Sequence, residues 1–284
     1  MSLRSALHSP PSITCALLSA AGRPTSLDSD GVPKVLIEIE GSSLISHVLR
    51  QLHAGGILNV VLVVSRHVAA IILETQKICE RHPCLHVDVV CVGEKTFYAK
   101  SLLGGLGKCF RNETSILIST VDHIFDEELV REMCSVELIP EETEVCLLVD
   151  FAKAPLGLPN TTIGVECDGR SVARVSREIG QRIMMGQECG GLGVEAGLFA
   201  CNRRLFDQLA KLAVSQEYFT LTDAVQDFAA KGLATWLPTN GRKWMSVETA
   251  TGLESASSVL RCSPPSSNTH AEVDALPSFF MAGD

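Results

Sequence analysis

The stretch LLSAAGRPTSLDSDGVPKVLIEI, residues 17–39, joins two apolar segments through a long polar loop. The first segment runs into the small residues Ala20, Ala21 and Gly22, and a lysine, Lys34, stands at the start of the second. Small residues after a strand allow backbone N–H groups to approach a bound anion closely. The stretch therefore predicts a strand followed by a phosphate-binding loop.

Beyond this loop, short apolar runs alternate with helical patterns. Strands are predicted over 12–20, 58–65, 84–92 and 114–123, and helices over 43–56, 67–82 and 99–110. Continuous apolar strands separated by helices of about 10 to 15 residues indicate βαβ units and a parallel sheet that is covered on both faces. We therefore expect an α/β fold with a doubly wound, mostly parallel central sheet. Ligands bind at the carboxyl ends of such strands, which places the 20–34 loop and segment 120–123 on one rim.

The second half of the chain has a different pattern. Asp168-Gly169 is a hairpin signal and predicts an antiparallel extension of the sheet. Segment 219–232 is predicted as a helix with Thr222 as its N-cap. KWMSVET, residues 243–249, is predicted as a strand near the end of the fold.

A single domain is predicted over residues 12–262. The chain has 284 residues, of which 46% are hydrophobic, and it is long enough to bury a substantial core. Residues 1–11 and the Ser- and Pro-rich residues 263–284 are expected to be flexible tails. The N-terminus carries Arg4 and no acidic residue before Asp28, which leaves an organelle transit peptide as an alternative.

Composition narrows the classes of partner. Lys and Arg number 24 against 33 Asp and Glu, and the resulting net charge of -9 opposes binding to nucleic acid or an anionic membrane. No apolar run approaches the roughly 18 residues that a membrane span needs. The 11 cysteines are scattered, several within apolar runs, as expected for free thiols in a reducing compartment. We expect a cytoplasmic protein that binds small molecules or other proteins.

Five blocks carry a resemblance to a known family. In order along about 240 residues they read AAGRPTSLDSDGVPKVLIEIEGSSLISHVLRQLHAGGILNVVLVV, STVDHIFDEELV, VEAGLFACNRRLF, LTDAVQDFAAKG and WMSVETATGLESA. They resemble successive blocks of the nucleotidyltransferases that make nucleoside-diphosphate sugars and alcohols. The Asp122-His123 pair and WMSVET look most like the inositol-phosphate and phosphocholine cytidylyltransferase branch.

The resemblance implies a Rossmann-like nucleotidyltransferase fold and a specific reaction. A phosphate oxygen of a small phosphorylated alcohol or sugar attacks the α-phosphorus of a nucleoside triphosphate, CTP being favoured, and pyrophosphate leaves. Such transfers depend on positioning and electrostatics, with Mg²⁺ as the implied cofactor.

The same resemblance implies roles for particular residues. Catalytic roles fall to Lys34 and Asp122, and Asp122 also ends an apolar run, where a carboxylate suits a hard metal ion. The metal ligands are Asp122 and Glu248. The acceptor-binding residues are Arg177 and Glu195. The nucleotide-binding residues are Ser19, Ala20, Ala21, Gly22, Arg23 and Ser101.

The chain departs from the family pattern at four places, one of which is TFYAKSLL, residues 96–103, where the branch has a Gly-Asn-rich turn. Pro24 replaces a loop glycine, which removes one N–H donor, and Ser26 replaces an arginine that would bind phosphate through two hydrogen bonds. Ser246 replaces an aspartate; Glu248 is expected to substitute for it, because residues two apart in a strand share a face. These losses leave a second hypothesis, in which the chain is a catalytically impaired pseudoenzyme that serves as a binding or regulatory scaffold.

Overall fold

The computed structural model describes residues 11–21, 27, 32–94, 96, 98–109, 113–152, 162–187 and 190–262. The predicted tails lie outside these ranges, apart from residue 11, and so do Gly22, Arg23, Pro24 and Ser26. The strands are β1 Cys15–Ala20, β2 Glu38–Ile39, β3 Ser42–Ser43, β4 Asn59–Val64, β5 His86–Cys91, β6 Ser115–Thr120, β7 His123–Phe125, β8 Val145–Asp150, β9 Gly164–Asp168, β10 Ser171–Ser176, β11 Leu192–Asn202, β12 Ala234–Pro238 and β13 Trp244–Ser246. The helices are α1 Leu44–Gly55, α2 Val68–Arg81, α3 Tyr98–Cys109, α4 Glu127–Cys134, α5 Arg177–Met184, α6 Arg203–Ser215, α7 Leu221–Ala229 and α8 Ala250–Cys262.

The first half of the chain builds the parallel part of the sheet. Strands β5, β4, β1 and β6 lie side by side in that order, and each neighbouring pair is parallel. In the middle of this part, Leu17 pairs with Val61 on one side and with Ile118 on the other. The predicted strands and helices of this half are all present, with ends that differ by a few residues.

The second half enters the middle of the sheet. Strand β11 runs antiparallel between β6 and β8, and β12 lies parallel to β8. Strands β9 and β10 form the predicted antiparallel hairpin at Asp168-Gly169, where Gly169 has a φ of 58°. Strand β10 pairs with β12, and β9 pairs back onto β11, so that β11, β8, β12, β10 and β9 form a closed ring of paired strands.

Helices cover both faces of the sheet, which confirms the doubly wound α/β class. Along β1, Ala16 and Leu18 face the core beneath α1, α2 and α4, whereas Cys15 and Leu17 face the core beneath α3, α6 and α7. This alternation is the two-residue period of a strand buried on both sides. In the part of the chain that the structure describes, no helix is both long and apolar enough to cross a bilayer.

A buried carboxylate supports the start of β8. Glu144 is 0% exposed and accepts hydrogen bonds from the Glu141 N–H at 2.8 Å, from Asn202 Nδ2 and from Arg204 at 2.8 Å. Burial disfavours the charged form, but these three donors outweigh it and lower the pKa of Glu144. Asn202 is also the N-cap of α6, so the carboxylate links β8 to that helix.

The predicted N-cap of α7 is wrong by two residues. Thr220, not Thr222, is the cap: its hydroxyl accepts from the Asp223 N–H at 3.1 Å, and the Asp223 carboxylate accepts from the Thr220 N–H at 2.7 Å. This reciprocal pair is a capping box, which satisfies two backbone donors at once. Thr222 has no such partner three residues later and lies in the first turn.

The strand predicted over 243–249 is also too long. Strand β13 ends at Ser246, the next N–H, that of Val247, donates to the Asp122 carbonyl at 2.7 Å, and α8 begins at Ala250. Ser246 and Glu248 therefore do not belong to one strand, and the argument that alternation puts them on the same face fails. Both residues nevertheless line the cavity described below.

Candidate active site

A cavity of about 1140 Å³ opens at the carboxyl ends of the parallel strands. Ser19 near the end of β1, Ser65 after β4 and Thr120 at the end of β6 all line it. Lys34 and Asp122 line it as well, and Lys34 Nζ lies 2.6 Å from Asp122 Oδ2. The structure thus brings the two predicted catalytic residues together on one rim, as expected for strand tips in this class of fold.

Asp122 is held by three neighbours. Lys34 donates to Oδ2, the Thr120 hydroxyl donates to Oδ1, and His123 Nδ1 lies 2.9 Å from Oδ1. Burial disfavours the carboxylate, but His123 and Lys34 outweigh it and hold the pKa of Asp122 well below its usual range. Asp122 is therefore an anion whose charge is largely offset by adjacent cations.

His123 stacks on two aromatic rings. Its imidazole stacks on Phe125 at 6.0 Å and on Trp244 at 6.2 Å between ring centres. Trp244 donates its indole N–H to Asp150 at 2.7 Å, which ties this stack to the end of β8. Burial lowers the pKa of His123, but Asp122 and other carboxylates of the cavity reverse that effect and raise it. The imidazole therefore carries more positive charge near neutral pH than an isolated histidine.

A β-bulge in β11 shapes the floor of the cavity. The pairing of β11 with β8 shifts register between Glu195 and Phe199, and Gly197 within this segment has a φ of 81°. The Glu195 carboxylate accepts from the Gly197 N–H, and the Ser119 hydroxyl donates to the Gly197 carbonyl at 2.7 Å. A β-carbon on Gly197 would lie 2.5 Å from His123 Cδ2 and Nε2. The glycine thus provides the space in which the imidazole lies.

The acceptor-binding candidates Arg177 and Glu195 line the same cavity. Arg177 begins α5, whose N-cap is Ser176, and it is exposed. Glu195 is partly buried, and burial raises the pKa of its carboxyl group. Sequence reasoning did not find Tyr98, which lines the same cavity and whose phenol pKa is raised well above its usual value by burial, Glu195 and Asp122.

The nucleotide-binding candidates divide into two groups. Ser19 and Ala20 line the cavity, whereas Gly22 and Arg23 lie outside the described residues. Ser101 is 0% exposed: its hydroxyl donates to the Tyr98 carbonyl at 2.6 Å and is 2.9 Å from Ser19 Oγ. Ala21 is buried too, and its N–H donates to Ser19 Oγ at 3.3 Å. Ser101 therefore contacts a residue of the cavity wall without lining the cavity itself, and its role in nucleotide binding stays a prediction.

The residues around Asp122 fit a magnesium ion. Glu248 and Asp122 line the same cavity, and burial together with the charge of Asp122 raises the pKa of the Glu248 carboxyl group. Ser246 is 8% exposed, and among the residues that the structure describes its hydroxyl has no hydrogen-bond partner. Within the described ranges no three His, Cys, Asp or Glu side chains form a metal cage. One or two carboxylates are nevertheless what Mg²⁺ uses when phosphates supply further ligands.

The fold and the cavity define a Rossmann-like α/β protein of the nucleotidyltransferase type. Residues 16–227 match the family model for the MobA-like NTP transferase domain, and the chain belongs to this family. No curated protein matches the sequence significantly.

Solved structures of nucleotidyltransferases share the fold. The inositol-1-phosphate CTP transferase from T. maritima has a TM-score of 0.70 at 16% identity, covering 89% of this chain and 97% of the other. A putative glucose-1-phosphate thymidylyltransferase from Bacillus anthracis has a TM-score of 0.68 at 14% identity, covering 88% and 95%. A UDP-glucose pyrophosphorylase has a TM-score of 0.66 at 13% identity, covering 88% and 98%.

Proposed function

We propose that this protein transfers a nucleotidyl group, by preference cytidylyl, from a nucleoside triphosphate to a small phosphorylated alcohol or sugar, with release of pyrophosphate. The observation that carries the proposal is the Lys34–Asp122 pair, 2.6 Å apart in a large cavity at the strand tips, with the Glu248 carboxyl group nearby. The preference for CTP is supported by the sequence resemblance at Asp122-His123 and by the likeness to the inositol-1-phosphate CTP transferase.

Charge placement explains how these residues would act. An oxygen of the acceptor phosphate attacks the α-phosphorus, and the bond from that phosphorus to pyrophosphate breaks. Lys34 offsets negative charge on the phosphates, and Asp122 and Glu248 would hold Mg²⁺, which supplies charge neutralisation and Lewis acidity when bound. Arg177 and Glu195 line the cavity, where a cation can bind the acceptor phosphate and a carboxyl group can bind a hydroxyl.

Pyrophosphate release tests the proposal. The protein is incubated with Mg²⁺, with CTP, UTP or ATP, and with inositol 1-phosphate or another phosphorylated alcohol or sugar. We expect release with CTP, and Asp122→Ala should reduce the rate more than about a hundredfold while circular dichroism shows a folded protein. A higher rate with ATP than with CTP would refute the preference for CTP but not the transfer reaction itself.

A non-catalytic scaffold is the second candidate. It is favoured by Pro24 and Ser26 in the loop and by Ser246 at the metal side of the cavity, since each removes a group that would bind phosphate or metal. Absence of pyrophosphate with every acceptor, together with calorimetric binding of CTP and Mg²⁺, would support it.

We also place the protein in the cytoplasm, because the described cysteines are free and the buried ones pack as small apolar side chains.

A further inference from the structure

Three side chains at the tip of β6 contact one another. The Thr120 hydroxyl donates to Asp122 Oδ1, and His123 Nδ1 lies 2.7 Å from Thr120 Oγ1 and 2.9 Å from Asp122 Oδ1. A threonine hydroxyl has a single hydrogen. Because that hydrogen goes to Asp122, the His123 Nδ1 must itself carry a hydrogen and donate towards both oxygens. Oδ1 of Asp122 therefore accepts from two donors.

The other oxygen of the carboxylate has a different environment. Oδ2 accepts from Lys34 at 2.6 Å, and Lys34, Asp122 and Thr120 all line the cavity. Lysine is a flexible point charge that can move to another anion, whereas Thr120 and His123 are held by the strand tip and by the aromatic stack. The two oxygens of Asp122 thus differ. Thr120 and His123 hold Oδ1 in place, whereas a metal ion could replace Lys34 at Oδ2.

We propose that Thr120 is a positioning residue for the transfer reaction. Its hydroxyl donates to Oδ1 of Asp122 and so fixes the orientation of the carboxylate that would hold the metal ion. The inference rests on the proposed function, because it assumes that Asp122 binds a divalent metal. Outer hydrogen-bonding partners of metal ligands typically account for about ten- to a hundredfold in metal affinity. Thr120 has no covalent part in the reaction and acts through Asp122.

Manganese binding tests the proposal without depending on activity. The full chain is titrated with Mn²⁺, alone and with CTP, and free Mn²⁺ is measured by electron paramagnetic resonance. Thr120→Val keeps the branched shape but removes the donor, and it should weaken Mn²⁺ binding about tenfold or more. Thr120→Ser keeps a hydroxyl and should restore affinity close to that of the parent. If Thr120→Val does not fold by circular dichroism, Thr120→Ala replaces it.

The matched control is Thr75→Val. Thr75 is 3% exposed and donates to the Ile72 carbonyl within α2, so its change removes a buried hydroxyl away from the cavity. This variant should bind Mn²⁺ as the parent does. If Thr120→Val binds Mn²⁺ as tightly as the parent, the inference is overturned and the proposed function stands. The same follows if Thr75→Val loses as much Mn²⁺ affinity as Thr120→Val. A parent that binds no Mn²⁺, even with CTP, would overturn both.

Discussion

Substitution of Gly197 by alanine tests whether the bulge in β11 positions His123. The new β-carbon would lie 2.5 Å from two atoms of the imidazole, a distance that forces the ring or the strand to move. Overpacking of this kind costs about 1–3 kcal/mol. The φ of 81° adds the cost of a left-handed conformation for a residue with a side chain, about 1–2 kcal/mol. We expect Gly197→Ala to lower the free energy of unfolding by about 2–5 kcal/mol.

Gly241→Ala separates the two contributions. Gly241 has a similar φ of 75°, but a β-carbon there would meet no atom of the described residues within 4 Å, so only the backbone cost of about 1–2 kcal/mol remains. Both variants are unfolded in urea and followed by circular dichroism, and Gly197→Ala is also made in a His123→Ala background. There its cost should fall to that of Gly241→Ala, because the imidazole is gone. Equal costs for Gly197→Ala and Gly241→Ala in the parent would refute the reasoning.

Three further predictions concern charge. Lys34→Met should strengthen binding of Mn²⁺ alone, because it removes a cation 2.6 Å from Asp122, but it should weaken binding of CTP. Calorimetry measures both affinities. If both rise or both fall, Lys34 does not exchange with a metal ion at Asp122 Oδ2. Glu248→Gln should raise the Mg²⁺ concentration needed for pyrophosphate release, and Ser246→Asp should raise the rate by adding a direct ligand. Glu144→Gln should lower the free energy of unfolding by about 1–3 kcal/mol at pH 7. Because the pKa of Glu144 is lowered from 4.5, the difference from the parent should shrink as the pH falls below that value in urea titrations.

Much of the site was predictable because it lies at strand ends. The apolar run before Asp122 marks a buried strand, and the rule that parallel strands present ligands at their carboxyl ends placed Asp122 and Lys34 on one rim. Thr120 was accessible to the same reasoning, since it ends that strand two residues before Asp122. Tyr98 was not, because its position in the cavity depends on where α3 packs against the sheet.

The sequence by itself determined the alternation of elements, the class of fold and the hairpin at Asp168-Gly169, because apolar periodicity and turn chemistry are local properties. Only the tertiary structure decided that β11 enters between β6 and β8, and that β9 closes onto β11. Strand pairing depends on segments far apart in the chain, and the apolar periodicity of one strand does not show which other strands it pairs with. The hydrogen bonds to Asp122 Oδ1 are local, because they come from Thr120 and His123, its neighbours in sequence. The space that Gly197 leaves for His123 follows instead from the pairing of β11 with β6, which brings together residues far apart in the chain.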